Sequence, residues 1–320
     1  MIYIGYLLSA VILIVCTVES AKYVDLLDKH TRLSGAFLGG ILISAVTSIP
    51  ELITSIASMA YNKPNLCMGD VLGSNLFNLL ILAVTMLFFI KGFIKGKVSK
   101  SYRNVLVLVL LIYVLISLNY FGQIEGGIFH ISITSILIVV IYFFGAKYLS
   151  VAHDVNADED LLNYHATSVT KLSVNQIGWR FIFTAIGVIV FGVAITSFTV
   201  GILGEHTLEE GLAGAVFLGI STSLPELIFV ITLFRMKNYN IAVGNIIGSN
   251  LFNLVILAVA DMIAPYRGVY GTLDMESLEL LILGLVATLF MWAVLKVKNR
   301  KAITAGSAGI IICYILFLFI

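Results

Sequence analysis

The chain has 320 residues, 60% of them hydrophobic and 12% charged, with a mean hydropathy of +1.05 and a net charge of +1. Soluble domains run nearer half apolar and about a quarter charged, so this composition excludes a soluble globular protein. A charge so close to zero leaves no basic surface to neutralise phosphates, which excludes nucleic acid as a partner.

Crossing a bilayer takes ~20 apolar residues per helix. Apolar runs and their breaks predict ten spans, near 2–21, 35–60, 66–90, 103–121, 128–149, 179–203, 211–234, 240–264, 276–295 and 302–320. The fold class is therefore an all-α polytopic membrane protein. The first span has no basic residue before Lys22 and is expected to be a retained helix rather than a cleaved signal. Cys16, Cys67 and Cys313 sit singly in apolar runs and read as packing residues. The longest polar stretch carries Asp154, Asp158, Glu159 and Asp160 and reads as a solvated loop. It divides the chain into a first five-helix half (1–150), a cytoplasmic linker (151–178) and a second five-helix half (179–320). With the N-terminus outside, seventeen of the nineteen Lys and Arg residues fall in loops on one side, and only Lys63 and Arg267 on the other. The positive-inside rule makes the lysine-rich side cytoplasmic and places both termini outside.

The halves are related. Residues 39–84 align without a gap to 214–259 at an offset of 175, with 21 identities in 46 positions. The identities concentrate in T-S-x-P-E-L-I and G-S-N-L-F-N-L. Five spans per half is an odd number, so the copies enter the membrane from opposite faces. That is the inverted-repeat plan of secondary transporters, with a substrate site near the midplane.

Glu51 and Glu226 fall within spans, beside Pro50 and Pro225. An intramembrane carboxylate is costly and marks a functional site. No Lys or Arg lies deep within a span to pair with either, so a bound cation is the natural counter-charge. Each proline lacks an N–H and frees a carbonyl near Val46 or Ser221. Thr47 and Thr222 lie four residues before each Glu, on the same face if the helix continues. Gly69, Gly73, Gly244 and Gly248 loosen a helix or allow close approach. Ser74 and Asn78 are four apart, as are Ser249 and Asn253, so each pair can point into one site. This all-oxygen donor set suits Ca²⁺ or Na⁺ and argues against Zn²⁺ or copper. Two ionised Glu carry a charge of −2, which one Ca²⁺, several monovalent ions or protons cancel. Glu205, Glu209 and Glu210 can draw cations to an outer mouth. Asp70 and Asp261 read as lying toward water-accessible span ends, and His130 has no evident partner.

The doubled T-S-[IL]-P-E-L-I and G-S-N-L-F-N-L motifs resemble the α-repeats of the Ca²⁺/cation antiporter superfamily, the sodium/calcium exchanger family in particular. The resemblance implies that the second, third, seventh and eighth spans form the ion-binding core. The first and sixth would be long tilted helices that slide across it. It implies a ligand set of Thr47, Ser48, Glu51, Ser74 and Asn78 with Thr222, Ser223, Glu226, Ser249 and Asn253. Two departures stand out: Val46 and Ser221 occupy positions where family members usually carry Gly, and Asn78 and Asn253 are both amides where many sodium-coupled members carry one Asp. The expected function is exchange of Ca²⁺ for Na⁺ across the plasma membrane, with H⁺ as the alternative coupling ion and a cation channel as a remoter one. No catalytic motif supports an enzyme and no cofactor is expected. Inorganic cations and the lipid bilayer are the partners, with no protein partner implied and a monomer as the functional unit of a minimal, prokaryotic-type exchanger.

Overall fold

The computed structural model describes residues 2–31, 33–122, 126–128, 131–151, 172–205, 212–264, 269–270 and 274–319. His130, the Asp154–Asp160 stretch, Glu209, Glu210 and Arg267 lie outside the described residues, as does the side chain of Glu205. Thirteen helices are described: α1 Ile2–His30, α2 Gly35–Thr47, α3 Ile49–Ala60, α4 Pro64–Phe88, α5 Ile90–Lys95, α6 Ser101–Tyr120, α7 Ile133–Val151, α8 Val174–Glu205, α9 Leu212–Thr222, α10 Leu224–Arg235, α11 Tyr239–Ile263, α12 Met275–Val297 and α13 Arg300–Phe317. A two-residue antiparallel hairpin, β1 Gly127–Ile128 with β2 Ile131–Ser132, precedes α7. Eight helices are long and apolar enough to cross a membrane, or nine if the bent pair α2–α3 is one span.

Span centres match the expected positions better than span ends do. Helices α1 and α8 are the longest, at 29 and 32 residues, and α1 runs well past the expected end at residue 21. Its additional turns are polar but not isolated. Asp25 pairs with Lys29 at 2.6 Å, and the Asn238 amide donates to Asp25 and Asp28 at 2.9 Å each. This ties α1 to the turn between α10 and α11.

Helices α4 and α11 form the centre: 72% of the most apolar window of each is buried inside the protein, against 17% for α1. The two cross each other, flanked by α2, α3, α9, α10, α12 and α13. Along α1, Leu7, Leu8 and Val11 are each at least 60% exposed, the surface a helix presents to lipid rather than water.

Small residues set the closest approach at this centre. A β-carbon on Gly248 would lie 2.1 Å from the Gly40 carbonyl oxygen, and one on Gly39 would lie 2.4 Å from that of Ile241. The α2 backbone there is a π-helical stretch, Leu38–Ile43, a wide turn often associated with functional sites. Gly248 is thus a packing residue, whereas Gly69 has open space around it. Gly248→Ala is expected to destabilise the protein by about 1–3 kcal/mol through overpacking against backbone that cannot yield, read as a lower thermal midpoint in detergent. Gly69→Ala, by contrast, is expected to leave that midpoint in place.

Two sequence expectations are corrected. Asp70 and Asp261 are 0% and 1% exposed, so neither sits in water. Asp261 accepts from the Ser132 and Val269 N–H groups and from the Ser135 hydroxyl, at 2.8 to 3.1 Å, and so stitches the start of α7 to the segment after α11. The half-buried Lys298 ammonium bonds the Gly96 carbonyl and lies 5.2 Å from the Phe93 ring, and burial lowers its pKa.

Candidate functional site

The site begins where two helices break at equivalent residues. Between α2 and α3, Ser48 adopts φ −92°, ψ 5°; between α9 and α10, Ser223 adopts φ −88°, ψ 10°. Helices α2 and α3 meet at 42°. Pro50 and Pro225 follow directly, within the first two positions of α3 and α10, where a missing N–H costs nothing. The prolines therefore begin new helices rather than kink continuous ones. Glu51 and Glu226 consequently lie in a first helical turn, where the helix dipole favours a carboxylate. Thr47 and Thr222 do not share a continuous helix with them, because the break intervenes.

All ten side chains singled out above are 0% exposed: Thr47, Ser48, Glu51, Ser74, Asn78, Thr222, Ser223, Glu226, Ser249 and Asn253. Contacts across the centre occur in matched sets. The Thr47 and Ser249 hydroxyls meet at 3.3 Å, and their counterparts 175 residues away, Thr222 and Ser74, meet at 3.4 Å. The Ser223 hydroxyl donates to Glu51 Oε1 at 3.5 Å, while Ser48 of the other copy faces Glu226. Ser249 donates to Glu226 Oε1 at 3.3 Å. Val46 packs against the core, whereas the Ser221 hydroxyl accepts from Thr199 on α8 at 3.0 Å.

Much of this oxygen is unspent. Glu51 Oε2, Glu226 Oε2, Ser48 Oγ, Asn78 Oδ1 and both amide atoms of Asn253 are buried without a hydrogen-bond partner. Buried polar groups are normally satisfied, and leaving one bare costs about 1–3 kcal/mol. The two described ion pairs lie on α1, so neither glutamate has a cationic partner among the described residues. Nor, among the described residues, do three His, Cys, Asp or Glu side chains gather as a resident metal cluster. The arrangement instead resembles a hard-cation cage of carboxylate, hydroxyl and amide oxygens.

Sequence reasoning missed three amides. Asn75 donates to the Asn250 carbonyl at 3.2 Å, and Asn250 donates to the Asn75 carbonyl at 3.0 Å. Asn250 Oδ1 also accepts from Asn78 at 3.1 Å. Asn245 Oδ1 accepts from Thr47 at 3.3 Å. Asn75 and Asn250 are identical in both copies and adjoin Ser74 and Ser249, which was the available signal, but their partners are backbone carbonyls that no spacing rule names.

Known proteins resemble this chain in sequence and in fold. The family model described as sodium/calcium exchanger protein matches residues 1–151 and 177–320. The inner membrane protein YrbG of Escherichia coli is 31% identical over 237 residues, covering 71% of this chain and 69% of the relative. The sodium/calcium exchanger MaX1 of Methanosarcina acetivorans is 23% identical, covering 93% of each chain. A solved structure of the sodium-calcium exchanger NCX_Mj, soaked with 10 mM Na⁺, is similar in fold with a TM-score of 0.71, 19% identity and 98% of each chain covered.

Proposed function

The chain belongs to the sodium/calcium exchanger family, and on that premise we propose that it exchanges Ca²⁺ for Na⁺ by alternating access at a midplane site built on Glu51 and Glu226. The protein is a transporter rather than an enzyme. The observation that carries the reading is the pair of fully buried glutamates, each with one unpartnered oxygen and no cationic side chain opposite among the described residues. Thr47, Ser48, Ser74, Asn78, Thr222, Ser223, Ser249 and Asn253 supply the remaining ligands. Ca²⁺ takes six to eight oxygens and cancels both charges; sodium ions distributed over the same oxygens cancel them equally well. The two cannot occupy the site together, and an empty cage with two bare carboxylates is costly to carry across the membrane, so each ion moves in exchange for the other.

The matched contacts at a constant offset support a two-fold relation between inverted halves, 1–150 and 179–320, joined by the 151–178 linker. In this reading α2–α3 and α9–α10 are each one broken span, which brings the total to ten, with both termini outside. Helices α1 and α8, packed along one another and with an outer surface as greasy as lipid, form the unit that slides across the core. A prokaryotic plasma membrane is the proposed location and a monomer the functional unit.

The test is ⁴⁵Ca²⁺ uptake into Na⁺-loaded proteoliposomes, with and without an outward Na⁺ gradient, at equal pH on both sides. Uptake is expected to follow the Na⁺ gradient. Uptake that ignores Na⁺ and follows an imposed pH gradient would transfer the coupling to protons at the same two glutamates, and passive, unsaturable flux would indicate a channel.

A further inference from the structure

The two copies are not equivalent on the side of Glu51 that faces the α3–α4 turn. One helical turn from Glu51 along α3 stands Ser55, and one turn from Ser74 along α4 stands Asp70, with Cys67 beside both. Since α3 and α4 run antiparallel, both steps lead toward the same end of the protein, the turn at residues 61–63. Ser55 and Asp70 are each 0% exposed, both Asp70 carboxylate oxygens lack any hydrogen-bond partner, and the Ser55 hydroxyl has only the Cys67 thiol beside it. Asp70 lies within electrostatic reach of Glu51.

The counterparts 175 residues on are Val230 for Ser55, Ala242 for Cys67 and Asn245 for Asp70. Thr54 and Ser58 likewise become Phe229 and Leu233. All five of the second set are buried, and Phe229, Val230, Leu233 and Ala242 belong to the apolar core. A buried, unpaired carboxylate is among the most expensive groups a membrane protein can hold. Sequence duplication does not account for it here, because the other copy does without one. One carboxylate with one hydroxyl carries a single negative charge, which a monovalent cation balances and a lone divalent cation overfills.

Resting on the exchange reading above, we propose that Asp70 and Ser55 form an additional sodium site, one turn from Glu51 on the side of the α3–α4 turn. Its position lets an ion entering from that end shed water before it reaches the shared cage. The charge distribution of the loops places that end outside the cell, so the outer approach to the site carries a stage that the inner approach lacks.

Equilibrium binding of ²²Na⁺ to detergent-purified protein at fixed pH tests the site without reference to transport. Asp70→Asn is expected to bind one fewer Na⁺ per chain than the wild type. Unchanged stoichiometry, or a wild type that binds no Na⁺, would overturn the proposal. In right-side-out proteoliposomes, Asp70→Asn is expected to raise the half-saturating Na⁺ concentration at the outer face roughly tenfold, as befits loss of a charged ligand, and to leave the inner face unchanged. Equal shifts at both faces would overturn it. Should Asp70→Asn not be recovered folded, Ser55→Val, which copies Val230, is expected to weaken outer-face Na⁺ binding alone, and no change would again overturn the site. A wild type that binds Na⁺ at this site but drives no Ca²⁺ flux would defeat the exchange reading while leaving the site intact.

Discussion

Glu51→Gln and Glu226→Gln are each expected to reduce Na⁺-driven Ca²⁺ exchange by roughly 10²-fold or more, since each removes half the charge of a fully desolvated cation cage. The glutamine retains the shape and the hydrogen-bonding oxygen, so the protein should still fold. In Glu51 the substitution should do more than that. Its carboxylate has one long contact, from Ser223 at 3.5 Å, and faces the charges of Glu226 and Asp70. Without cations, these like charges oppose the folded state, so ion-free Glu51→Gln should melt no lower than ion-free wild type. Glu226 accepts from Ser249 and faces Thr47 and Ser48, so its replacement brings less relief. Thermal midpoints in detergent, with and without Ca²⁺, check both points. The diagnostic result is that Ca²⁺ raises the midpoint of wild type but of neither variant. Retained exchange in either one would remove that glutamate from the site.

Asn250→Ala is expected to lower stability by about 1–3 kcal/mol, because it strips partners from two buried groups at the crossing of α4 and α11. The Asn75 carbonyl loses the Asn250 amide, and the Asn78 amide loses Asn250 Oδ1. The same measurement on Asn75→Ala should show a loss of similar size, since the pair is reciprocal, and the double variant should cost close to the sum, because each side chain bonds a backbone carbonyl that the other substitution leaves in place. Single variants that melt with the wild type would mean that these bonds do not lock the helices together.

The comparison between the two pairs of prolines and glutamates shows how far sequence reasoning reached. The doubled motifs and the cost of a carboxylate among apolar residues were enough to single out Glu51 and Glu226, and with the family resemblance to name eight further side chains, all ten of which are fully buried in the fold. Membrane spans were legible because lipid demands long apolar runs, and the class of protein followed from composition. Helix ends were less legible: α1 continues through Asp25 and Asp28 because Asn238, more than 200 residues away in the sequence, supplies their hydrogen bonds.

What the tertiary structure decided was direction and partnership. Periodicity assumes a continuous helix, so it put Thr47 on the face of Glu51; the break at Ser48 instead turns Thr47 toward Ser249 and Asn245 of the other copy. Asp70 and Asp261 look alike in sequence, each an acid near the end of an apolar run. In the fold Asp261 is fully partnered and structural, whereas Asp70 is buried with both oxygens bare. Sequence determines which polar groups must be satisfied within the membrane, because lipid cannot satisfy them. Only the packing of helices distant in sequence decides which of them find partners in the protein and which are left to meet an ion.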